Sequence, residues 1–346
     1  MAKKLRVGFI GTGGIAQAHI AAWQKIADAE IVALSDLRPA ALDPSAAKTG
    51  VAAEHCYSDH RRMLEVEGLD IVDVCTPNSA HAKPTIDALQ AGAHVLVEKP
   101  VATSAREVER MIQAGHDAGK LLMVAQVMRY MRESRICKNW IDQGLVGDIY
   151  WGRAEYLRVR GVPAWGAFID KAASAGGPAY DLGVHVLDLI LHFMDFPEPV
   201  TVSAGTYLKL ASKPSLMAHS PRKYTVPEDF AWGLVRFADG RTLSLGASWA
   251  LNLAEGTNQV MVCGTKGGVR VWPPTLVHEE NGILANSTPQ VTIYDDSDNF
   301  FLECQAFAEA VRKGGPSPVP GEQALITQRI LDGVYKSGEK QREVKV

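Results

Sequence analysis

The sequence predicts an α/β protein in two parts: an N-terminal doubly wound parallel sheet and a C-terminal α+β domain with a large, mostly antiparallel open sheet. Three observations support this prediction. Strand and helix patterns alternate over residues 1–126, strands follow one another with few helices between them from residue 149 onward, and a glycine-rich turn follows the first strand. We therefore expect two domains, residues 1–126 and residues 127–346.

The glycine-rich turn lies between an apolar strand and a helix. Val7, Phe9 and Ile10 form a short apolar run suited to a buried strand, and a helical pattern follows the turn. The turn has the Gly-x-Gly-x-x-Ala form of the dinucleotide-binding fingerprint of a Rossmann domain. Small residues there allow a tight turn, close approach of the backbone to a pyrophosphate, and close packing of the helix on the strand. The residues of this turn that we expect to bind the cofactor are Gly11, Thr12, Gly13, Gly14, Ile15 and Ala16.

An acidic residue follows the second strand, where this fingerprint places a ribose ligand. The apolar run 31–34 leads to Asp36, roughly twenty residues after the turn. A carboxylate there accepts hydrogen bonds from the ribose 2′-hydroxyl and repels a 2′-phosphate, which favours NAD over NADP. Arg38 complicates this choice, because a guanidinium pairs with phosphate or stacks on adenine. The alternative for Asp36 is a solvated loop acid, which the order of the preceding elements disfavours.

Composition and charge exclude several classes of protein. The chain has 346 residues, enough for two domains, and its net charge of −3 provides no basic field for nucleic acid. No apolar run reaches transmembrane length and no signal-peptide region precedes the first strand, so we expect a cytoplasmic protein. Five scattered cysteines argue against a disulfide framework. No metal site is predicted: His55, Cys56 and His60 are interpreted as a polar loop, and residues 295–298 as a solvated turn.

Functional residues collect at the carboxyl ends of the predicted parallel strands, where ligands bind to sheets of this kind. The pattern predicts a six-stranded sheet. Besides the two strands already described, three more lie within 70–75, 94–97 and 121–125, so five of the six strands are located. The helices lie within 38–48, 59–67, 82–91 and 104–118. The residues at these strand ends, besides the glycine-rich turn and Asp36, are Thr76, Glu98, Lys99 and Gln126.

The C-terminal part has a different pattern, in which strands predominate and a tight turn at Ala238-Asp239-Gly240 joins two of them. The predicted strands are 149–160, 201–210, 231–237, 242–249, 259–263 and 267–272, and the predicted helices are 133–143, 181–194, 300–313 and 321–336. This order predicts one large antiparallel sheet with helices against one face. The other face is a candidate dimer surface.

Two elements carry residues suited to proton and hydroxyl chemistry. Lys99 follows the fifth strand, where its ammonium would lie beside a nicotinamide; the alternative is a surface lysine paired with Glu98. Asp181 and His185 are four residues apart in a predicted helix, which places them on one face. Because the rest of that helix is apolar, we expect both to be buried or to line a cleft. They form a catalytic pair, a structural pair, or two ligands of a metal site without an evident third ligand.

These motifs together resemble the glucose–fructose oxidoreductase, inositol dehydrogenase and rhizopine-catabolism (Gfo/Idh/MocA) family. The resemblance covers nearly the whole chain, and its motifs occur in the family's order and spacing. The Glu-Lys-Pro and Gly-Gly…Asp-x-x-x-His elements are the most specific. The motifs are the glycine-rich turn, Cys75-Thr76-Pro77-Asn78 with His81, Glu98-Lys99-Pro100, Gly176-Gly177 with Asp181 and His185, and Gly264-Thr265-Lys266-Gly267.

The resemblance implies an NAD-dependent dehydrogenase, with NADP the less favoured cofactor, acting on a secondary hydroxyl of a sugar, glycoside or cyclitol. It implies that His185 takes the hydroxyl proton, that Asp181 holds a substrate hydroxyl and tunes His185, and that Lys99 polarises the reacting oxygen. A histidine suits that base because it titrates near neutrality, and a cation stabilises an alkoxide-like transition state. The cofactor contacts that the resemblance adds or reinforces are Thr76, Pro77, Asn78, His81, Glu98, Lys99 and Gln126.

Substrate contacts, partners and rival functions complete these expectations. The resemblance places Arg129 after the sixth strand near the substrate or nicotinamide; Arg160 and Trp165 are further expected contacts, with ordinary packing the alternative for Trp165. It implies a homodimer or homotetramer, a small polyol or sugar substrate, and neither nucleic acid nor membrane as a partner. Two rival functions stay open: an NAD-dependent glycosidase that recycles its cofactor through oxidation and elimination, and a non-catalytic NAD- and sugar-sensing regulator.

Overall fold

The computed structural model describes residues 3–214, 218–290 and 298–346. The chain divides into two compact units, one formed by residues 1–127 and 297–325 and the other by residues 128–296 and 326–346. Residues 297–325, which we expected in the second domain, thus belong to the first unit, where the helix at Asn299–Lys313 packs against the one at Ala16–Trp23. The predicted functional division at residue 126 stays a prediction. The turn at 295–298 lies mostly outside the described residues.

Fifteen strands and ten α-helices are assigned within the described ranges. The strands are β1 (Leu5–Ile10), β2 (Ala29–Ser35), β3 (Cys56–Tyr57), β4 (Ile71–Val74), β5 (His94–Glu98), β6 (Leu122–Ala125), β7 (Ile149–Leu157), β8 (Pro199–Tyr207), β9 (Phe230–Phe237), β10 (Thr242–Ser248), β11 (Thr257–Gly264), β12 (Gly267–Arg270), β13 (Thr275–Glu280), β14 (Ile283–Ser287) and β15 (Val344–Lys345). The helices are α1 (Ala16–Trp23), α2 (Pro39–Thr49), α3 (His60–Val66), α4 (Ala82–Gln90), α5 (Ala105–Ala118), α6 (Arg132–Asp142), α7 (Lys171–Ser174), α8 (Val184–Phe193), α9 (Asn299–Lys313) and α10 (Gly321–Lys340).

The first unit is built on a six-stranded parallel sheet, which confirms the predicted Rossmann architecture. Its strand order is β3-β2-β1-β4-β5-β6. The chain builds outward from β1 to β3 and then returns to place β4 on the other side of β1. The carboxyl ends of β1 and β4 therefore meet at the topological switch point, where open α/β sheets bind their ligands.

Side-chain caps mark the starts of two helices of this unit. Asp59 caps α3 by accepting the backbone N–H of Arg61 at 3.0 Å. Ser104 caps α5 by accepting the backbone N–H of Glu107 at 3.4 Å. Each such cap satisfies an otherwise unpaired N–H and contributes about 1 kcal/mol. Short-range chemistry therefore determines where these helices begin.

The second unit is built on a nine-stranded sheet, which confirms the predicted large, mostly antiparallel architecture. Its order is β14-β13-β12-β11-β7-β10-β9-β8-β15, and β7 and β10 form its parallel pair. Helix α8 packs against β7 and β11. Its apolar residues are buried in the core of this unit, among them Val186, Leu189 and Ile190. Burial of each such side chain contributes roughly 1.5–3 kcal/mol, so α8 is held firmly on the sheet.

Several elements differ from the sequence-based expectations. Cys56, expected in a polar loop, lies in β3, which is too short to show any periodicity. The β13–β14 hairpin was not predicted, because β14 exposes Ile283 and Leu284 and lacks an alternating apolar face. Strand β7 ends at Leu157 rather than at residue 160. Among the described residues, no helix has both the length and the apolar character needed to cross a bilayer.

Candidate active site

The glycine-rich turn joins β1 to α1 at the switch point of the six-stranded sheet. Gly11 has a φ of +89°, and a Cβ there would lie 2.7 Å from the carbonyl carbon and oxygen of Cys75. Glycine is therefore required where the ends of β1 and β4 meet. A Cβ at Gly14 would meet nothing within 4 Å, and one at Gly13 only Arg38 Nη2 at 3.9 Å. The turn thus borders open space, as a backbone cradle for a diphosphate requires.

Asp36 stabilises the glycine-rich turn through hydrogen bonds. Its Oδ2 accepts the backbone N–H of Thr12 at 3.0 Å, and its Oδ1 accepts the backbone N–H of Arg38 at 2.9 Å. Burial opposes ionisation, but these hydrogen bonds and the Arg38 guanidinium hold the pKa of the Asp36 carboxyl below its usual value. The side chain of Arg38 is 73% exposed. The turn therefore presents one carboxylate and one guanidinium, the two groups that distinguish a ribose hydroxyl from a phosphate.

Gln126 directly follows β6 and is 2% exposed. Its side-chain Oε1 has no hydrogen-bond partner among the described residues. A buried carbonyl oxygen without a donor costs about 1–3 kcal/mol, so an N–H from a bound group fits there. The open turn, Asp36 and Gln126 together fit a dinucleotide with phosphates at the turn, a ribose at Asp36 and an amide at Gln126.

Lys99 directly follows β5, at the same edge of the sheet. Glu98 Oε2 accepts the backbone N–H of Lys99 at 2.8 Å. His81 is buried, and its two ring nitrogens lie 2.8 Å from the carbonyl oxygen of Pro100 and 2.7 Å from that of Thr76. These contacts fix the backbone on both sides of Lys99. They also show that the ring nitrogens of His81 hold the loops after β4 and β5 together.

One group of three potential metal ligands lies inside the first unit, as far as the chain is described. His19, Asp73 and Cys75 offer ligand atoms within 4.8 Å of one another. His19 Nδ1 lies 2.9 Å from Asp73 Oδ2, and the Cys75 thiol donates to Asp73 Oδ1 at 3.2 Å. Burial raises the pKa of the Cys75 thiol, which keeps it protonated. Because these atoms bond directly to each other, we interpret the group as a buried hydrogen-bond network.

Asp181 and His185 lie where a π-helical turn, Ala179–Gly183, continues into α8. The helix predicted over residues 181–194 therefore begins two residues earlier, in a π-helical turn. The start of this turn is bonded to a buried carboxyl, described next. At its middle residue, the indole Nε1 of buried Trp249 donates to Asp181 Oδ2 at 2.9 Å. Asp181 and His185 are both half-buried. π-Helical turns inside helices occur frequently at functional sites.

The Gly176-Gly177 pair packs on a buried carboxyl. A Cβ at Gly176 would lie 2.1 Å from the hydroxyl oxygen of Tyr335, and one at Gly177 would lie 2.4 Å from the carbonyl oxygen of Glu228. Glu228 Oε1 accepts the backbone N–H of Gly177 at 2.9 Å and the hydroxyl of Tyr335 at 2.5 Å. It also accepts the backbone N–H of Ala179 at 3.4 Å. Glu228 therefore anchors the start of the turn that carries Asp181.

Arg129 is buried in the second unit. Its Nε and Nη2 each donate to an oxygen of Asp188 at 2.7 Å, and its guanidinium carbon lies 4.9 Å from the ring centre of Phe196. A bidentate arginine–carboxylate pair is strong and directional. These contacts give Arg129 a structural role, and its expected substrate contact stays a prediction.

Arg160 and Trp165 lie on the surface of the second unit. Arg160 donates to the carbonyl oxygen of Leu251 at 2.9 Å and to Asn252 Oδ1 at 2.7 Å. Trp165 is 67% exposed and packs edge-on against Phe168, with ring centres 6.1 Å apart. An exposed indole face suits stacking on a sugar ring. The guanidinium of Arg160, by contrast, is already engaged in holding two loops.

Two family models match the chain. Residues 5–126 match the oxidoreductase family with an NAD-binding Rossmann fold, and residues 134–270 match the GFO/IDH/MocA C-terminal domain. The chain belongs to the Gfo/Idh/MocA oxidoreductase family. This confirms the predicted family and enzyme class, an NAD(P)-dependent oxidoreductase acting on CH–OH groups.

Relatives of this Gfo/Idh/MocA protein match it over nearly its whole length. It is 32% identical to D-glucoside 3-dehydrogenase of Escherichia coli strain K12, over 97% of this chain and 95% of that protein. It is 25% identical to myo-inositol 2-dehydrogenase of Thermotoga maritima, over 99% and 98% of the two chains. The solved structure of levoglucosan dehydrogenase with NADH has the same fold, with a TM-score of 0.87 at 22% identity and 99% coverage of each chain.

The motifs of this Gfo/Idh/MocA chain did not indicate three residues that support the candidate site. Glu228 and Trp249 lie 51 and 68 residues from the groups that they bond, and no spacing rule connects such pairs. For His19, the sequence did contain one signal that it is a buried polar residue. It lies one turn after Ala16 on the buried face of α1, so its polar ring requires buried partners.

Glu228 makes a pH-dependent contribution that a glutamine variant tests. Burial raises the pKa of Glu228 from 4.5 to about 7, against the opposing bonds from Tyr335 and Gly177. The folded protein therefore binds this proton more tightly than the unfolded chain, and stability falls as pH rises through this window. Glu228→Gln retains an acceptor at Oε1 without the charge. We expect its free energy of unfolding, relative to wild type, to increase by about 3 kcal/mol between about pH 4 and pH 8 in urea titrations.

The matched control for this experiment is Tyr335→Phe. It removes one donor to the same carboxyl but leaves the carboxyl ionisable, and because that donor favours the charged form, its stability should decline with pH at least as much as that of wild type. Equal pH dependence of Glu228→Gln and wild type would show that Glu228 does not titrate in this window.

Proposed function

We propose that this protein oxidises a secondary hydroxyl of a sugar, glycoside or cyclitol with NAD. The observation that carries the proposal is the position of Lys99, which directly follows β5 at the sheet edge that holds the glycine-rich turn. Ligands of open α/β sheets bind at that edge, which supports a role for the ammonium beside a bound nicotinamide. The names of relatives, a glucoside 3-dehydrogenase and an inositol 2-dehydrogenase, support the substrate class.

Three residues share the chemistry in this proposal. His185 accepts the proton of the reacting hydroxyl, since removing a hydride from an alcohol of very high pKa requires a base. Asp181, oriented by Trp249, holds a substrate hydroxyl and tunes His185. Lys99 donates a hydrogen bond to the reacting oxygen and stabilises its developing negative charge. Bound NAD supplies the hydride acceptor at C4 of its nicotinamide.

The cofactor in this proposal is held by the first unit. The backbone N–H groups of the glycine-rich turn bind the diphosphate, Asp36 binds the adenosine ribose, and Gln126 accepts a hydrogen bond from the nicotinamide carboxamide. The remaining predicted contacts lie in the loop after β4 or at and just after the end of β5: Thr76, Pro77, Asn78, His81, Glu98 and Lys99. The carboxylate of Asp36 disfavours the 2′-phosphate of NADP.

A substrate panel tests the function and the cofactor together. We expect NADH formation from at least one glucoside, aldose or inositol, with NAD preferred over NADP by about tenfold or more in kcat/KM. Asp36→Ser is the matched variant, and its preference should move toward NADP because the repulsive charge is gone while Arg38 remains.

Two outcomes would replace this function by its rivals. Release of the aglycone from aryl glycosides without net NADH would support a glycosidase that recycles its cofactor. Binding of NAD in calorimetry without oxidation of any polyol in the panel would support a sensor.

We also propose that the protein is a homodimer or homotetramer that associates through the sheet of the second unit. Along β9 the residues alternate, and Trp232 and Arg236 are exposed while Val235 and Phe237 are buried. Trp232 is 46% exposed, and Tyr207, which lies on the same face of the neighbouring strand β8, is 44% exposed. Large aromatic residues on an open sheet face suit a subunit interface. The cytoplasm stays our expected compartment.

A further inference from the structure

A fully buried histidine in the first unit lies between two carboxylates. His19 on α1 is 0% exposed; its Nδ1 lies 2.9 Å from Asp73 Oδ2 on β4, and its Nε2 lies 3.0 Å from Glu98 Oε1 on β5. Asp73 is 0% exposed and Glu98 6%. One imidazole ring therefore joins the helix after the glycine-rich turn to two neighbouring strands of the sheet.

The hydrogen-bond partners determine the protonation state of this ring. Ionised carboxylates accept hydrogen bonds and do not donate them, so contacts with two of them are satisfied when both ring nitrogens of His19 carry a proton. Burial opposes that charge, but the neighbouring Asp73 carboxylate raises the pKa of His19 well above its usual value. The ring is therefore an imidazolium held between two anions. The other titratable groups that face it are the thiols of Cys75 and of Cys304 on α9, both buried and protonated.

The second carboxylate oxygen of Glu98 connects His19 and its two carboxylates to Lys99 by a hydrogen bond. Glu98 Oε1 faces the imidazolium, while its Oε2 accepts the backbone N–H of Lys99 at 2.8 Å. The contact between Oε1 and His19 thus sets the orientation of the Glu98 carboxylate. In this orientation Oε2 accepts the backbone N–H of Lys99. On the far side, His81 contacts the carbonyl of Pro100, so the segment is fixed at both ends.

We propose that His19 is a positioning residue for Lys99: by orienting Glu98, it fixes the backbone from which the lysine side chain projects toward the reacting oxygen. This inference rests on the proposed dehydrogenase function. It also connects two motifs, since the helix that begins at the diphosphate-binding turn carries the residue that orients the Glu-Lys-Pro segment. A misplacement of about 1 Å at a reacting group lowers rates by roughly 100-fold, so the effect should be visible in kcat.

The same helix provides a matched control. The indole Nε1 of Trp23, also on α1, donates to Asp73 Oδ2 at 2.8 Å, and Trp23 is 1% exposed. Trp23→Phe therefore removes a bond from the same buried carboxylate and leaves the path from His19 through Glu98 to Lys99 intact. A purely structural network would respond similarly to both changes.

The test compares His19→Gln, Trp23→Phe and the double variant His19→Gln/Glu98→Gln. In His19→Gln the new amide donates a hydrogen bond to one carboxylate, while its oxygen faces and repels the other. We therefore expect kcat to fall about 100-fold, while the Kd for NAD changes by less than about threefold. In the double variant, the amide introduced at position 19 donates a hydrogen bond to Asp73 and accepts one from the amide introduced at position 98. The oxygen of that second amide still accepts the backbone N–H of Lys99. We therefore expect kcat to recover by about tenfold or more. Trp23→Phe should keep kcat within about threefold of wild type.

Two measurements do not depend on turnover. The exchange rate of the Lys99 amide proton should rise at least about tenfold in His19→Gln, recover in the double variant and stay unchanged in Trp23→Phe. Nitrogen NMR of wild type should show both ring nitrogens of His19 protonated at about pH 8.

The outcomes separate this inference from the proposed function. If wild type oxidises no hydroxyl but Lys99 exchange follows the expected pattern, the dehydrogenase function is wrong and the positioning contact stands. A neutral His19, equal effects of His19→Gln and Trp23→Phe on kcat and exchange, or no recovery in the double variant would overturn the inference. If His19→Gln does not fold, the double variant and the NMR measurement still decide it.

Discussion

Replacing His185 with asparagine should lower kcat for the best hydroxyl substrate by about 100- to 10,000-fold, the range that general acid–base catalysis contributes. An amide has a similar polar head but takes up no proton at neutral pH. Binding of NAD should be unchanged, because the predicted cofactor contacts belong to the first unit. Steady-state kinetics and calorimetry on the same preparations measure both quantities.

His192, which lies seven residues after His185 on α8, is the control. Burial and the charges of Arg129 and Lys138 lower the pKa of His192 to about 3, so it is neutral at working pH. His192→Asn tests the general effect of losing an imidazole from this helix, and we expect kcat within about threefold of wild type. A His185→Asn protein that keeps more than about a tenth of wild-type kcat would remove His185 from the role of base.

Gly177→Ala should destabilise the second unit by more than about 3 kcal/mol, among the largest effects of a single methyl group. The added Cβ would lie 2.4 Å from the carbonyl oxygen of Glu228 and 2.9 Å from its Cδ and Oε1. The backbone of Glu228 and its carboxyl group, which accepts three hydrogen bonds, both have to move, because neither is the free end of a flexible side chain. The shift would break the bond from Gly177 N–H to Glu228 and displace the turn that carries Asp181.

Gly315→Ala is the matched substitution for this experiment. A Cβ at Gly315 would meet nothing within 4 Å, so its midpoint in urea should stay near that of wild type. Denaturant titration measures the stability, and kcat of any Gly177→Ala protein that folds reports the displaced Asp181. Equal stabilities of the two variants would show that the close packing of Gly177 on Glu228 is not rigid.

Much of the first unit was predictable because its signals are short-range. The turn at Gly11 is required by a contact at the strand end, and the caps at Asp59 and Ser104 act within three residues of their partners. Alternation of strands and helices then implies a parallel doubly wound sheet. Family membership confirms the predicted Rossmann fold and the predicted oxidoreductase class.

The second unit was predicted less completely, because pairing across its sheet decides which segments become strands. The β13–β14 hairpin forms at one end of the sheet with Ile283 and Leu284 exposed, so no apolar period reveals it. Similarly, the π-helical turn at Ala179–Gly183 is bonded to Glu228 and Trp249, residues too distant in the chain for a local pattern to connect them with it.

The sequence by itself therefore determined the family, the two kinds of sheet and the residues proposed to act: the glycine-rich turn, Asp36, Lys99, Asp181 and His185. Periodicity, turn chemistry and motif spacing are local properties of the sequence, so they can be recognised without knowing which residues pack against them. Only the tertiary structure decided how these residues are held. His19 meets Glu98 across 79 residues and Gly177 meets Glu228 across 51, and contacts at such separations arise from packing of the whole core.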